Sequence, residues 1–180
     1  YGTPGVTLTW RDEKSGSYRS FDKNRITSLE KALRGKDGVV TEVKRTAKKT
    51  PAPLLYDLTE LQREANRRFH YSAKETLNIM QRLYENHKVL TYPRTDSRYL
   101  SSDIVPTLKE RLRACGTGPY RKLAGRLLNQ TFTAKASFVN DAKVSDHHAI
   151  IPTEQFVSLE HMTIDERRIY DLVVRRFLAV

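Results

Sequence analysis

The chain has 180 residues, enough for one or two domains with a buried core. Its 38% apolar and 29% charged residues indicate a globular protein with a polar surface, and no apolar run is long enough to cross a bilayer, which argues against a membrane protein. The formal net charge of +11 points to a polyanionic partner, because an excess of lysine and arginine favours nucleic acid.

The ends of the chain suggest a longer parent protein, and its single cysteine suggests a reducing compartment. It begins Tyr1-Gly2 without a methionine and stops at Val180 inside a helical pattern, so we expect a piece of a longer protein. Cys115 has no partner for an internal disulfide, which fits a reducing cytoplasm. We interpret it as part of the core rather than as a reactive thiol.

Residues 1–53 have a β pattern with one helical insert. Alternating residues predict a hairpin from 6–10 and 17–21 and a further strand over 38–46, while apolar spacing over 26–33 predicts a short helix. Three strands and one helix make a poor core on their own, so we expect half of a domain. Lysines and prolines at 48–53 then predict a linker.

From Leu54 onward the apolar residues recur at helical spacing. Thr59 is predicted to cap a first helix and Ser72 a second, and Val89–Thr91 forms a short β-branched run typical of a strand. Two helices followed by a strand are typical of a winged helix-turn-helix. The predicted core stripe of the second helix consists of Ala73, Leu77, Met80 and Tyr84.

The remaining residues predict three more helices. Two of them lie between Ser102 and Asn129, and residues 131–145 should be a loop with a short strand at 137–139. Thr163 is predicted to cap a long final helix. We interpret the outward arginines of that helix as a solvated face. They are Arg167, Arg168, Arg175 and Arg176.

The residues most suggestive of chemistry are 91–97, which read TYPRTDS. Pro93 favours an extended Tyr92, so the phenol is held in place beside the guanidinium of Arg94. A tyrosine nucleophile and an arginine that stabilises negative charge are suited to attack on a phosphodiester. An isolated Tyr-Pro-Arg is more often a buried strand tyrosine before a polar turn.

The whole set of motifs, however, resembles the type IA DNA topoisomerases, and most of all the bacterial DNA topoisomerase III branch. TYPRTDS is similar to the active-site motif of that family. Further matches lie in the family's order on both sides of it: TELQREA at 59–65, SAKET at 72–76, QRLYE at 81–85 and DHHAIIPT at 146–153.

The resemblance implies an α+β fold in two parts. Residues 1–53 would be the outgoing half of a β-rich arch domain, and residues 54–180 a mainly helical, winged-helix-like domain with the active-site tyrosine. The resemblance makes Tyr92 the nucleophile, with Arg94 on the phosphate and His147 orienting the phosphate or relaying a proton. Flanking residues are weaker candidates for contacts to single-stranded DNA: Lys88, Thr95 and Arg98.

The resemblance also implies what surrounds the site. Mg²⁺ would be held by an acidic cluster in a separate TOPRIM domain, so the metal ligands would lie outside these residues, and no ATP would be needed. The partners would be single-stranded DNA or underwound duplex, the TOPRIM domain and the returning arch strands, in a bacterial cytoplasm and nucleoid. The chain alone should then be inactive.

One alternative function stays open beside the enzyme, while a metal site and a different class of tyrosine enzyme are disfavoured. The chain could be a non-catalytic winged-helix module that binds duplex DNA without using Tyr92. The adjacent His147 and His148 suggest a metal site, but consecutive side chains do not face one ligand sphere and no Cys or acidic cluster completes it. His148 stands where the topoisomerase I branch has Glu, and its role is open. A tyrosine recombinase or type IB enzyme resembles a different motif.

Overall fold

A computed structural model describes residues 2–3, 6–130 and 135–180. By its internal contacts the chain divides into two compact units, residues 1–48 and residues 49–180. The assignment of these residues to an arch domain and a tyrosine domain stays a prediction. No helix in the described part of the chain is long and apolar enough to cross a bilayer.

The first unit has little secondary structure and no apolar core among its described residues. Strands β1 (Gly2–Thr3) and β2 (Val6–Thr7) pair antiparallel. Helix α1 (Lys23–Leu33) begins at Asp22, whose carboxylate accepts hydrogen bonds from the first free backbone N–H groups, yet it buries none of its residues. The predicted helix is therefore present and contacts its own unit through Arg25, which pairs with Asp12 and lies over the Trp10 ring at 5.1 Å, but it buries no apolar face.

The β-rich half of the predicted fold is not confirmed. Residues 17–21 and 38–46 lie in neither strand nor helix, and β2 pairs with β1 rather than with residues 17–21. Val39, Val40 and Val43 are each more than 70% exposed. An extended segment becomes a strand only when a neighbour accepts its backbone hydrogen bonds, and the described residues of this unit supply no such neighbour for 38–46.

The second unit is mainly helical, as predicted. Its helices are α2 (Leu58–Phe69), α3 (Ala73–Glu85), α4 (Leu108–Cys115), α5 (Arg121–Leu128) and α6 (Ile164–Ala179). Short 3₁₀ segments lie at Ser102–Thr107, Gly118–Tyr120, Asp141–Lys143 and Leu159–His161. In the described residues of this unit, β pairing is limited to isolated bridges, so the hairpin wing of a winged helix is not seen there.

The structure confirms two of the predicted helix caps. Ser72 begins α3 and Thr163 begins α6, each in a capping box with the glutamate three residues later. The predicted cap of α2, Thr59, is wrong: Asp57 lies before the helix and its carboxylate accepts from the Glu60 N–H at 2.6 Å. Aspartate takes this position because its side-chain oxygen reaches the same orphan donors.

The buried face of α3 differs from the predicted stripe. Only Met80 of the four predicted residues is fully buried, while Ala73 and Tyr84 are exposed. The buried side chains are Thr76, Ile79, Met80 and Leu83. Helix α3 packs against both α2 and α6, and the buried residues of the three helices belong to one continuous apolar core.

The second half of this unit also departs from its predictions in detail. The two helices after Ser102 are α4 and α5, and Leu123 is half-exposed while Ala124 is buried. The predicted strand at 137–139 is reduced to one bridge between Val139 and Leu100. Part of the predicted loop, 131–134, lies outside the described residues.

Of the four arginines predicted to face solvent on α6, one does not. Arg176 is half-buried, lies over the ring of Tyr56 at 4.0 Å and donates to the Leu54 carbonyl at 2.7 Å. This arginine ties α6 to the segment that enters the unit. The other three are exposed and bond to acidic side chains or backbone carbonyls nearby.

Candidate active site

A tight reversal after α3 sets the position of Tyr92. Lys88 adopts a left-handed conformation with φ of 57°, and the Val89 N–H then bonds back to the Leu83 carbonyl at 3.0 Å. Val89 and Leu90 are both buried beside the helix they follow. Because their apolar side chains hold this run in the core, the chain delivers Tyr92 to the surface at a fixed point.

A second segment lies antiparallel to this run. Thr91 N–H donates to the Ile151 carbonyl at 3.0 Å, and Thr153 N–H donates to the Val89 carbonyl at 3.0 Å. The Ile151 N–H donates to the Thr91 hydroxyl oxygen, also at 3.0 Å. This short ladder joins the two motifs that are far apart in sequence, and it brings residues 147–153 beside Tyr92.

Tyr92 lies between two other rings of the site. Its ring centroid is 4.4 Å from that of His147, and 5.5 Å from that of Tyr84 in an edge-to-face arrangement of 81°. Tyr92 is half-buried and His147 is exposed. Within the described residues the Tyr92 hydroxyl and the His147 imidazole make no hydrogen bond, so both polar groups are available to a ligand.

The residues after Tyr92 alternate between the core and solvent. Thr95 and Ser97 are buried, while Arg94 and Asp96 are exposed. The Thr95 hydroxyl donates to the His147 carbonyl at 2.8 Å, and the Ser97 hydroxyl donates to the Lys143 carbonyl at 2.8 Å. The inward hydroxyls therefore fasten the motif to the segment around His147, and the outward side chains point away from that anchor.

The predicted site residues fall into two groups. Lys88 lines the same cleft as Tyr92 and His147, and Arg94 is exposed with no ion pair in the described part of the chain. Thr95 is buried and already bonded, which favours a positioning role over the predicted DNA contact. Arg98 is half-buried and its Nε donates to the Leu55 carbonyl at 3.1 Å, so one of its guanidinium donors already bonds within the fold.

Arg111 is a site residue that sequence reasoning missed. It is buried on α4, where it donates to the Pro152 carbonyl at 2.9 Å and to the Thr107 hydroxyl at 2.8 Å, and pairs with Glu154 at 2.7 Å. These bonds hold the end of the segment that carries His147. The sequence did contain a signal for its burial: Arg111 follows Leu108 by three residues, which places both on the same buried face of α4.

His148 faces the same cleft. Burial lowers its pKa, which the hydrogen bond with the Ala149 carbonyl partly opposes, and the nearby charge of Arg111 lowers it further. Its Nδ1 lies 2.7 Å from the Ala149 carbonyl, so that nitrogen carries the proton of the neutral ring. The other ring nitrogen is then an acceptor.

These residues surround one open cleft of about 690 Å³. Aromatic, cationic and imidazole side chains dominate its wall: Tyr84, Lys88, Tyr92, Arg111, His147 and His148. In the described ranges no group of three or more His, Cys, Asp or Glu side chains could hold a metal ion. The cleft thus places a phenol and an imidazole beside positively charged side chains, groups that are chemically suited to act on a phosphodiester.

Comparisons with known proteins identify the family of this chain. A sequence profile of the DNA topoisomerase family matches residues 5–180. DNA topoisomerase 3 of Bacillus thuringiensis (strain Al Hakam) is 61% identical over 99% of this chain and 24% of its own length. The same enzyme of Bacillus subtilis (strain 168) is 56% identical over 98% of this chain and 24% of its own length.

A solved structure gives the same answer for the fold. Full-length topoisomerase I from Thermotoga maritima superposes with a TM-score of 0.56 at 26% identity, over 93% of this chain and 26% of that one. The chain therefore spans about a quarter of the length of the relatives it matches. Since the profile, the relatives and the neighbour each cover nearly all of these residues, the chain belongs to the type IA DNA topoisomerases and is similar to the bacterial DNA topoisomerase III enzymes.

Proposed function

We propose that this chain carries the nucleophile of a type IA topoisomerase, which cuts one DNA strand, passes another strand through the gap and reseals the first. One observation supports this most directly. The phenol of Tyr92 has no hydrogen-bond partner in the described residues, and its ring lies 4.4 Å from that of His147 in an open cleft. A structural tyrosine at this depth usually bonds its hydroxyl.

The reaction is an exchange of esters. The Tyr92 oxygen attacks a backbone phosphorus, a bond from that oxygen to phosphorus forms, and the bond from phosphorus to the 3′ oxygen breaks. The tyrosine then carries the 5′ phosphate, and the 3′ oxygen leaves as a hydroxyl. One ester replaces another, so the energy of the cut bond is retained and ATP is not needed. Attack by the 3′ hydroxyl reverses the step.

Protons and charge must be handled along the way. The phenol loses a proton as it attacks and the 3′ oxygen gains one, and imidazole is the side chain best suited to move a proton near neutral pH. We assign that task, or orientation of the phosphate, to His147. Negative charge grows on the phosphate oxygens, and Arg94 stabilises it with a permanently charged fork that no described residue neutralises.

Binding of the DNA strand rests on the same surface. Lys88 borders the cleft, whereas Arg94 is exposed two residues after Tyr92 and is not among the residues that line the cleft; we assign both to phosphates at or next to the attacked one. Arg98 could contribute only the part of its guanidinium that does not bond to Leu55. Contacts of this kind release counterions, so we expect affinity for single-stranded DNA to fall steeply with salt.

The rest of the parent protein completes the machinery in this proposal. The described residues include no group of three or more His, Cys, Asp or Glu side chains that could hold Mg²⁺. We propose that the ion belongs to an acidic TOPRIM domain elsewhere in the parent and that returning arch strands pair with the first unit. The substrate would be single-stranded or underwound DNA of the bacterial nucleoid. The isolated chain should then bind DNA without cutting it.

The test is a cleavage assay with the full-length parent protein. An end-labelled single-stranded oligonucleotide is incubated with Mg²⁺ and stopped with SDS, and protein attached to the new 5′ end is measured. The parent should form this adduct and Tyr92→Phe should not. Tyr99→Phe is a matched control, because Tyr99 lies two residues after the motif and its hydroxyl accepts from Lys143 at 3.2 Å.

Two outcomes would contradict the proposal. An adduct that persists in Tyr92→Phe would show that another group is the nucleophile. Tight binding of duplex DNA by a parent that forms no adduct would favour the non-catalytic winged-helix module instead.

A further inference from the structure

Tyr84 is a second tyrosine in the cleft, and the reaction described above does not use it. It lies in the last turn of α3, is 37% exposed and lines the cleft with Lys88. Its ring meets that of Tyr92 edge to face, with 5.5 Å between centroids. Its hydroxyl makes no hydrogen bond within the described residues. A ring that is partly exposed and lies edge to face against Tyr92 calls for an explanation beyond core packing.

Tyr92 itself has few restraints on its side chain. Without a hydrogen bond at its hydroxyl, the ring is held by its contacts with Tyr84 and His147 and by the backbone ladder behind it. An edge-to-face pair is favourable because the positive edge of one ring meets the negative face of the other. The two contacts therefore limit the directions in which the phenol oxygen can point.

Tyr84 is well placed to act as such a restraint, because the end of α3 is itself fixed. Arg82 donates to the Glu166 carboxylate at 2.8 Å, and His87 lies 3.3 Å from the other oxygen of the same group. Glu166 is buried and completes the capping box of α6. The turn that carries Tyr84 is thus locked to a second helix rather than free to move with its ligand.

We propose that Tyr84 is a positioning residue that aligns the Tyr92 phenol for in-line attack on the scissile phosphate. The inference rests on the proposed role of Tyr92 as nucleophile. The ring of Tyr84 carries the effect and its hydroxyl does not. A shift of the nucleophile by about 1 Å can slow a reaction by about two orders of magnitude. Removing the Tyr84 ring that contacts Tyr92 should therefore lower the rate of adduct formation measurably.

The experiment measures two quantities in the full-length parent: the rate constant of adduct formation at saturating oligonucleotide, and the affinity for the same single strand without Mg²⁺. Tyr84→Leu should slow adduct formation by about tenfold or more and leave the affinity within about twofold. Tyr84→Phe keeps the ring and should restore the parent rate. This rescue separates positioning by the ring from any chemistry of the hydroxyl.

Leu77→Ala is the control for a general effect on the helix. Leu77 is half-buried on α3 and does not line the cleft, so its truncation should lower the thermal unfolding temperature without changing the rate at saturation. If Leu77→Ala slows adduct formation as much as Tyr84→Leu does, the effect belongs to the helix and the proposal fails.

Other results are equally decisive. A large loss of affinity in Tyr84→Leu with an unchanged rate at saturation would make Tyr84 a platform for a DNA base, which overturns the positioning role. A Tyr84→Phe variant as slow as Tyr84→Leu would assign the effect to the hydroxyl and overturn it as well. An adduct that persists in Tyr92→Phe would instead remove the proposed function, and that outcome is distinguishable because it does not depend on Tyr84.

Discussion

Tyr92 and Ser97 belong to one short motif but lie in opposite environments. Tyr92 presents an unbonded hydroxyl to an open cleft, whereas Ser97 is buried with its hydroxyl donated to the Lys143 carbonyl at 2.8 Å. Arg94 and Thr95 differ in the same way, one exposed without an ion pair in the described residues and the other buried and bonded. The motif therefore has a free side and an anchored side, set by the alternation of an extended chain.

The contrast between the two sides predicts two different effects of substitution, one on activity and one on stability. A polar group without a partner contributes little to the stability of the fold and can meet a ligand without first breaking a bond. A buried and bonded group stabilises the fold and holds its neighbours in place. Substitutions on the free side should then change activity with the free energy of unfolding preserved. Substitutions on the anchored side should lower that free energy first.

The largest effect is expected for Arg94→Ala. Loss of a charged donor aimed at developing negative charge typically costs about 10²- to 10³-fold in rate. The adduct assay in the parent should show this loss, while urea unfolding stays within about 0.5 kcal/mol because the side chain is exposed. Arg113→Ala, another exposed arginine in the same unit, should change neither quantity. A destabilised Arg94→Ala would mean that the free side also supports the fold.

Arg111→Met tests the same distinction outside the motif, at a buried and bonded residue, with a side chain of similar length. The change removes the ion pair with Glu154 and leaves the Pro152 carbonyl without its donor. Truncating one partner of a buried, bonded charge costs about 3 kcal/mol, so urea unfolding should show a loss of that order. Arg113→Met, on the exposed face of the same helix, is the control. Unchanged stability would show that Arg111 is not an anchor.

Glu166→Gln tests the lock between α3 and α6 through its pH dependence. Burial raises the pKa of Glu166, but hydrogen bonds from Arg82 and Thr163 outweigh it and lower the pKa to about 2. A carboxylate with a depressed pKa stabilises the fold above its unfolded value of 4.5, and that contribution is lost as the pH falls from there towards about 2.

The difference in unfolding free energy between the parent and Glu166→Gln should therefore be about 3 kcal/mol at pH 7 and shrink across this window. Urea unfolding of both proteins from pH 7 to pH 3 measures it. Glu160→Gln serves as the control, because Glu160 is exposed and its carboxylate bonds to no described residue. A difference that is the same at every pH would show that the ionised form of Glu166 is not the source.

The sequence predicted the helices of the second unit better than the strands of the first. Capping residues and apolar spacing are local signals, and Ser72 and Thr163 begin their helices where expected. A strand depends on a partner that is distant in sequence. Residues 38–46 alternate correctly, yet the described residues of their unit give them no neighbour to pair with.

The site was predicted unevenly for a related reason. Tyr92 and His147 are distant in sequence, and only the family resemblance placed them together, because their contact depends on the ladder between residues 89–91 and 151–153. Tyr84 was interpreted as core because tyrosine fits an apolar stripe. Arg111 was missed because arginine is usually exposed, and the groups that pair with it, on Thr107, Pro152 and Glu154, come together around it only in the fold.

The smallest effect is expected for Thr95→Val, which keeps the shape of the side chain and removes its hydroxyl. The His147 carbonyl loses its donor, and the Ser97 N–H loses the acceptor that lies 3.1 Å away. Leaving these groups unpaired costs about 1–2 kcal/mol, measurable by urea unfolding. Thr95→Ser keeps the hydroxyl and should recover most of that loss.

The same variant also tests whether the anchored side of the motif affects the reaction. Because the lost bond holds the backbone of His147, adduct formation should also slow by about tenfold or less at saturating DNA, a smaller loss than for Arg94→Ala. A Thr95→Val protein that loses stability at full rate would mean that the imidazole finds its place without this anchor. A protein that loses affinity for single-stranded DNA at full stability would return Thr95 to the role of a DNA contact.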